Sequence, residues 1–313
     1  MDSMTPKNIS VKSPKTFAEQ VEILASRNLI IENKKWAEEV LSRVNYYRLS
    51  AYALPFKTGD RFNDGVTFGD IYELYEFDKK FRYLVLGLLG TIETAFRTQI
   101  AYVIGHKYGS VGHTEANNFL HAKFHIKIME LLNNEIERSN EVFVEHHKRK
   151  YGGQFPVWVA IELTSFGLLS RMFANLKNED KAYISKTFYD IPHKYIGSWL
   201  HTLSTFRNIC AHYGRTYNRP LSIKPILPKS DVKLGVSNER TFAVLLVMSR
   251  LIQDKVEWVT FVAELETLVS KRKTVDLTLM GFPASWKEIL SAGMEEVIIS
   301  EAAATQEIRI ESP

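Results

Sequence analysis

The 313-residue sequence holds a single cysteine, Cys210. No disulfide can form within the chain, which fits a reducing compartment. The start, Met1-Asp2-Ser3-Met4 followed by polar residues, lacks the apolar stretch of a signal peptide. Apolar runs such as Phe242 to Met248 fall far short of a bilayer span. These absences argue against secretion and membrane insertion and predict a cytoplasmic protein. There is no Gly-rich phosphate loop and no Gly-x-Ser-x-Gly elbow, so NTP hydrolysis and serine esterase chemistry find no support. His121 and His125 have a ligand-like spacing, but the residues between them lack the Glu of a zinc-protease motif, and cysteine ligands are missing. No metal site and no cofactor are expected.

Acidic residues are also missing from one long stretch. Between Ile191 and Ser230 there is no Asp or Glu, while Lys194, Arg207, Arg215, Arg219, Lys224 and Lys229 all fall there. The formal net charge of the whole chain is only +4. A concentrated positive field suits a polyanion such as nucleic acid. The alternative is that acids from elsewhere in the fold face these cations.

What is present is helical periodicity. No strand alternation is sustained, no repeat is evident, and the predicted class is all-α, with a small helical N-terminal unit ahead of a larger helical domain. Residues 1–15 are polar and basic and read as a flexible arm. The N-terminal unit covers 16–57. Thr16 and Glu19 form a capping-box pattern ahead of the Phe17, Val21, Leu24 and Ala25 stripe, and a second helix follows Asn33. A Gly- and Asp-rich loop at 58–65 marks the expected boundary. The main domain covers 66–290. It opens with a long helical stretch to about Lys107, which Gly87 and Gly90 are expected to kink or divide. Helices are expected near 121–139, 141–150, 157–176, from 178 on, 193–213, 239–256 and 258–272, with a proline-containing loop over 218–238. Residues 291–313 form an acidic tail.

The helix at 193–213, for which Gly214 is a natural stop, carries the chemistry. Asn208, His212 and Arg215 stand at i, i+4 and i+7, on one face if the helix persists, with Arg207 one step away. Leu203, Phe206 and Ile209 pack inward. These groups fit RNA cleavage by the RNA's own 2′-hydroxyl. A histidine near its ordinary pKa takes the 2′-OH proton or protonates the leaving oxygen. An arginine clamps the phosphate and stabilises the developing charge, and an asparagine orients the imidazole or bonds the phosphate. The nucleophile belongs to the substrate, so no metal is required, and the product is a 2′,3′-cyclic phosphate. The alternative is a histidine that caps or packs a core helix and an arginine paired with a carboxylate.

The segment R-N-I-C-A-H at 207–212 resembles the Arg-x(4–6)-His motif of the HEPN superfamily. The wider text resembles the AbiD/AbiF-like abortive-infection family. The matching blocks are F-A-E-Q-V-E-I-L-A-S-R-N-L-I-I at 17–31, S-R-V-N-Y-Y-R-L-S-A-Y at 42–52, D-I-Y-E-L-Y-E-F-D-K-K-F-R at 70–82 and I-E-T-A-F-R-T-Q-I-A-Y at 92–102. P-V-W-V-A-I-E-L-T-S-F-G-L-L-S at 156–170, S-W-L at 198–200 and R-N-I-C-A-H-Y-G-R-T-Y-N-R at 207–219 continue them in order. The resemblance implies a HEPN-like helical bundle and anti-phage defence by abortive infection. It also implies a toxin-like ribonuclease restrained by a small noncoding RNA, and a homodimer in which two copies of the motif make a composite site. Arg207, Asn208 and His212 carry over onto the catalytic motif. Arg215, Asn218 and Arg219 match its extension.

Other residues have two readings. Glu93 and Arg97 are an i,i+4 pair, either a surface ion pair or support for the motif. Arg43, Tyr46, Tyr47, Arg48 and Tyr52 interleave bases and rings as RNA binders do, or their tyrosines close the small N-terminal core. His146 to Lys150 is a basic cluster that complements a helix end. Cys210 reads as a packing group rather than a nucleophile. For the whole chain the alternative function is a non-catalytic RNA-binding protein of a defence or toxin–antitoxin system, with a protein-contact scaffold third.

Overall fold

A computed structural model of the protein describes residues 13–293. The basic arm expected at 1–15 lies almost wholly outside the described residues, as does the acidic tail beyond Gly293. The chain divides into two compact units, residues 1–77 and 78–313. It is all-α: among the described residues the only regular strands are one two-residue pair.

In the first unit, α1 (Phe17–Ser26) opens on the expected capping box. Thr16 Oγ1 accepts from the Glu19 N–H, and the Glu19 carboxylate accepts from the Thr16 N–H at 2.7 Å. The Asn33 side chain caps α2 (Lys34–Arg43) by accepting from the Trp36 N–H at 2.9 Å. Asn45 caps the short α3 (Tyr46–Ser50). Val21, Leu24, Val40, Leu41 and Tyr52 are buried, and Trp36 meets Phe68 and Tyr72 edge-on at 5.4 Å. The 58–65 segment is not the boundary. It contains a small antiparallel hairpin, β1 (Lys57–Thr58) and β2 (Arg61–Phe62), turned by Gly59 at φ +61°. Phe62 is buried and its N–H donates to the Arg27 carbonyl at 2.9 Å, which binds the hairpin into the first core. The division falls instead within the next helix, α4 (Phe68–Tyr108).

Gly87 and Gly90 do not divide α4, which is continuous over 41 residues. Both glycines are exposed, while Val85, Leu88, Leu89 and Ile92 around them are buried. Burial of that stripe outweighs the loss of about 1 kcal/mol per helical glycine. Helices α5 (Ala122–Arg138) and α6 (Val142–Lys150) follow as expected. The helix expected at 157–176 is interrupted. It consists of α7 (Val157–Ala160), a 3-10 turn at Ile161–Leu163, and α8 (Phe166–Asn175). Ser165 caps α8 by accepting from the Leu168 N–H at 3.3 Å, and Thr164 is extended. After these come α9 (Asn178–Tyr189) and α10 (His193–Ala211).

The 218–238 loop includes only the short α11 (Lys229–Lys233). Helix α12 (Thr241–Leu251) is buried on every side from Thr241 to Met248, which accounts for its unbroken apolar run. It is separated from α13 (Lys255–Ser270) by Asp254, whose carboxylate caps α13 through the Val256 and Glu257 N–H groups. Helix α14 (Trp286–Ser291) has no counterpart in the sequence reading. Helix α10 packs against α8, α9 and α12 at the centre of this unit. No helix of the described residues is long and apolar enough to cross a membrane.

Candidate active site

Ile196, Trp199, Leu200, Leu203, Phe206 and Cys210 form the buried face of α10. That face fixes the rotation of the helix and turns the last-turn polar residues outward. Arg207 is half-exposed, and Asn208 and His212 are exposed. Among the described residues neither the Asn208 nor the His212 side chain makes a hydrogen bond.

The end of α10 is closed by a Schellman arrangement. His212 is the C-cap at φ −92° and ψ 20°, and Tyr213 is left-handed at φ 57°. The Tyr213 N–H donates to the Cys210 carbonyl at 3.1 Å, and the Gly214 N–H to the Ile209 carbonyl at 2.7 Å. The helix therefore ends two residues before the expected Tyr213. Gly214 is required for close approach: a Cβ there would lie 3.0 Å from both the Ile209 carbonyl oxygen and its Cγ2.

This closure removes Arg215 from the face it was expected to share with Asn208 and His212. Its guanidinium turns into the following loop and donates to the Tyr217 and Asn218 carbonyls at 3.0 and 3.4 Å. Asn218 is left-handed at φ 48°, and its side-chain oxygen accepts from Arg240 at 3.3 Å. Both residues are occupied in shaping the loop. Arg219 is exposed, with a 3.5 Å contact to the Arg215 carbonyl.

The anchor of this loop is Asp78, a fully buried carboxylate on α4. It accepts from the Thr216 N–H at 3.1 Å, the Tyr217 N–H at 2.8 Å and the Thr216 hydroxyl, and it pairs with buried Arg82. The Tyr217 hydroxyl then donates to the Asp276 carbonyl at 3.2 Å. Sequence reasoning missed Asp78 as part of the site. The signal was available: an acid sits on the apolar stripe of Leu74, Phe81 and Val85, where a solvated charge has no place.

The expected supporting pair lies directly beside the motif. Glu93 is buried, accepts from Arg97 Nη2 at 2.5 Å, and has Oε2 3.8 Å from Arg207 Nε. Arg97 also donates to the Thr164 carbonyl at 2.6 Å, where the backbone is extended between α7 and α8. Arg207 thus faces the carboxylate through Nε, and among the described residues its two Nη groups have no hydrogen-bond partner. An acid from α4 offsets one cation of the acid-free stretch, and Glu239 takes another, Lys224, at 2.6 Å.

Burial pushes the Cys210 thiol up to about 12, so it is a packing group and not a reactive thiolate. Arg43, Tyr46, Tyr47 and Arg48 belong to the first unit; Tyr47 is 84% exposed, Arg43 and Arg48 are exposed, Tyr46 is half-buried, and Tyr52 enters the core. His125 is buried with Nε2 2.8 Å from the His113 carbonyl, and His121 lies at the start of α5. The His146–Lys150 cluster closes α6, with Lys148 paired to Glu145 at 3.1 Å. No group of three or more His, Cys, Asp or Glu among the described residues is placed to hold a metal ion.

Fold and site together define an all-α protein with a cationic helix end backed by a buried acid. A family model described as Abi-like protein matches residues 39–218, more than half of the chain, and the chain belongs to that family. The matched span includes α4, the Asp78 anchor and the whole 207–218 segment. No curated protein and no solved structure matches the chain.

Proposed function

We propose that this Abi-like protein serves abortive-infection defence as a toxin-like endoribonuclease of HEPN type, cutting RNA through its own 2′-hydroxyl. The observation that carries this reading is the Arg207–Glu93 contact at 3.8 Å, beside Asn208 and His212 with outward, unengaged side chains on the same helix end. A buried acid near Nε faces the guanidinium from one side and leaves its Nη pair without a hydrogen-bond partner among the described residues, able to take a phosphate. His212 accepts the 2′-OH proton or donates one to the leaving 5′-oxygen. Arg207 takes the charge that builds on the phosphoryl oxygens, and Asn208 orients the phosphate or the imidazole. The 2′-oxygen–phosphorus bond forms as the phosphorus–5′-oxygen bond breaks, which leaves a 2′,3′-cyclic phosphate and a 5′-hydroxyl.

One clear copy of the motif is present in the chain, so the site is completed by a second copy in a homodimer. A small noncoding RNA restrains it in the resting cell.

The test is cleavage of RNA by the purified full chain in EDTA, with product ends mapped. Loss of general acid–base catalysis in His212→Ala lowers cleavage by roughly 10²–10⁴-fold with the fold unchanged. Cyclic-phosphate ends made at wild-type rate by a folded His212→Ala variant would overturn the assignment. Salt-sensitive RNA binding without scission, after bound nucleic acid has been stripped away, would instead establish the non-catalytic binder.

A further inference from the structure

A groove of ≈ 480 Å³ runs along α4 from Arg97 to His106 and on to Ser110 beyond the helix end, walled on the other side by α7 and the turn after it. Three aromatic rings line it. Trp158 is 54% exposed and Tyr102 49% exposed, and His106 lies against Tyr102 with ring centroids 4.0 Å apart and planes tilted by 33°. The Trp158 indole lies over Gly105, where an added Cβ would meet its ring carbons at 3.7 Å. That is ordinary contact distance, so the indole packs against α4 at this position while much of its ring stays in solvent. Two polar side chains face each other in the groove, Arg97 Nη1 and the half-exposed Glu162 carboxylate, 4.0 Å apart. Arg97 is also the partner of Glu93, which faces Arg207. The groove therefore begins one carboxylate away from the proposed phosphate clamp and extends along α4 for about 14 Å at 1.5 Å per residue.

The chemistry of the lining selects its occupant. Glu162 disfavours a phosphate, whereas exposed ring faces favour a flat, uncharged ring system. A carboxylate accepts hydrogen bonds from an amino or imino edge, and guanine offers two such donors side by side. We propose that this groove is a base subsite: an unpaired guanine a few nucleotides from the cut packs on Trp158 and the Tyr102–His106 pair, and Glu162 accepts from its Watson–Crick edge. The proposal rests on the ribonuclease reading and adds to it a preference for single-stranded, guanine-containing RNA. Glu162 is then a specificity-determining residue and has no part in the bond-breaking step.

The experiment has a binding arm and a cleavage arm, both with the full chain. Binding of short unstructured oligoribonucleotides, with and without guanine, is followed by tryptophan emission in the His212→Ala background, where no turnover intervenes. Trp199, Trp258 and Trp286 are buried and Trp36 is half-buried, and the Trp158→Phe variant assigns the signal. Guanine-containing RNA is expected to quench Trp158. Trp158→Ala should weaken that RNA roughly tenfold, the scale of one stacked base, and leave uridine-only RNA nearly unchanged. In the active protein, Glu162→Gln, an exposed substitution that leaves folding intact, should abolish the guanine preference in the mapped ends while cleavage continues. RNA that is bound and cut with Trp158 emission unchanged, and with the same base preference in Glu162→Gln, would overturn the subsite and leave the ribonuclease reading standing. A Trp158→Ala variant that changes oligomeric state with RNA affinity intact would assign the groove to a protein contact and also overturn it. Absence of both binding and cleavage in the wild-type protein would remove the ribonuclease reading itself, and the subsite with it.

Discussion

Gly214 and Asp78 hold the end of α10 from opposite directions, one by what it lacks and one by what it accepts. A methyl group on residue 214 would press on the Ile209 carbonyl that its own N–H must reach. Gly214→Ala is expected to lose about 1–3 kcal/mol, by the usual scale of overpacking, and to lower cleavage by displacing His212. Urea unfolding and an RNA cleavage assay on the same preparation measure both effects. Asp78→Ala strips the carboxylate from Thr216, Tyr217 and Arg82 at once. A loss of roughly 3–5 kcal/mol is expected, as for a broken buried ion pair, again read from urea unfolding. Arg207, Asn208 and His212 were legible in the sequence because helical spacing alone sets them on neighbouring faces. Arg215 was misread because that spacing holds only while the helix lasts. A left-handed tyrosine, which ends the helix, leaves little mark in a sequence.

Among the elements, the interruption between α7 and α8 matters most for the site. Thr164 is extended, so its carbonyl is available to Arg97 instead of to a helix. Ser165 stabilises the break by starting α8 anew. Ser165→Ala is expected to lower stability by about 1 kcal/mol, or roughly 2–4 °C in Tm for a unit of this size, measured by thermal unfolding. Capping signals read well at Thr16 and Asn33, where an acceptor side chain stands ahead of an apolar stripe. The same signal at Ser165 was masked by apolar residues on both sides, which extended the apparent period across the break. Gly87 and Gly90 misled in the other direction, since local propensity yields to the burial of Leu88, Leu89 and Ile92. The short α14 carries too few periodic positions to be seen at all.

For the whole molecule, the acid-free stretch was visible and its electrostatic surroundings were not. Glu93 comes from a distant part of the chain and Glu239 from beyond the end of the stretch, and the stretch itself reveals neither. A second whole-molecule property follows from His113. Burial, with a smaller contribution from neighbouring His125, lowers its pKa from 6.5 to about 4. The unfolded chain therefore binds a proton near pH 6.5 that the folded chain refuses until about pH 4. Stability from this group is complete above pH 6.5 and falls as pH drops through that window, by about 3 kcal/mol in all. Urea midpoints measured between pH 7 and pH 4 should show this slope, and His113→Phe should flatten it.

Cys210 gives the molecule a built-in clock. The chain has one thiol, it sits under the turn that carries Arg207, Asn208 and His212, and in the closed state it is both covered and protonated. A thiol reagent can reach it only when the end of α10 lifts away from the core, so the labelling rate counts those openings one molecule at a time. No engineered label is needed and no second cysteine confuses the count. Any ligand that clamps the outer face of the helix end should slow the clock, and the factor by which it slows is a direct measure of how firmly that ligand holds the turn shut.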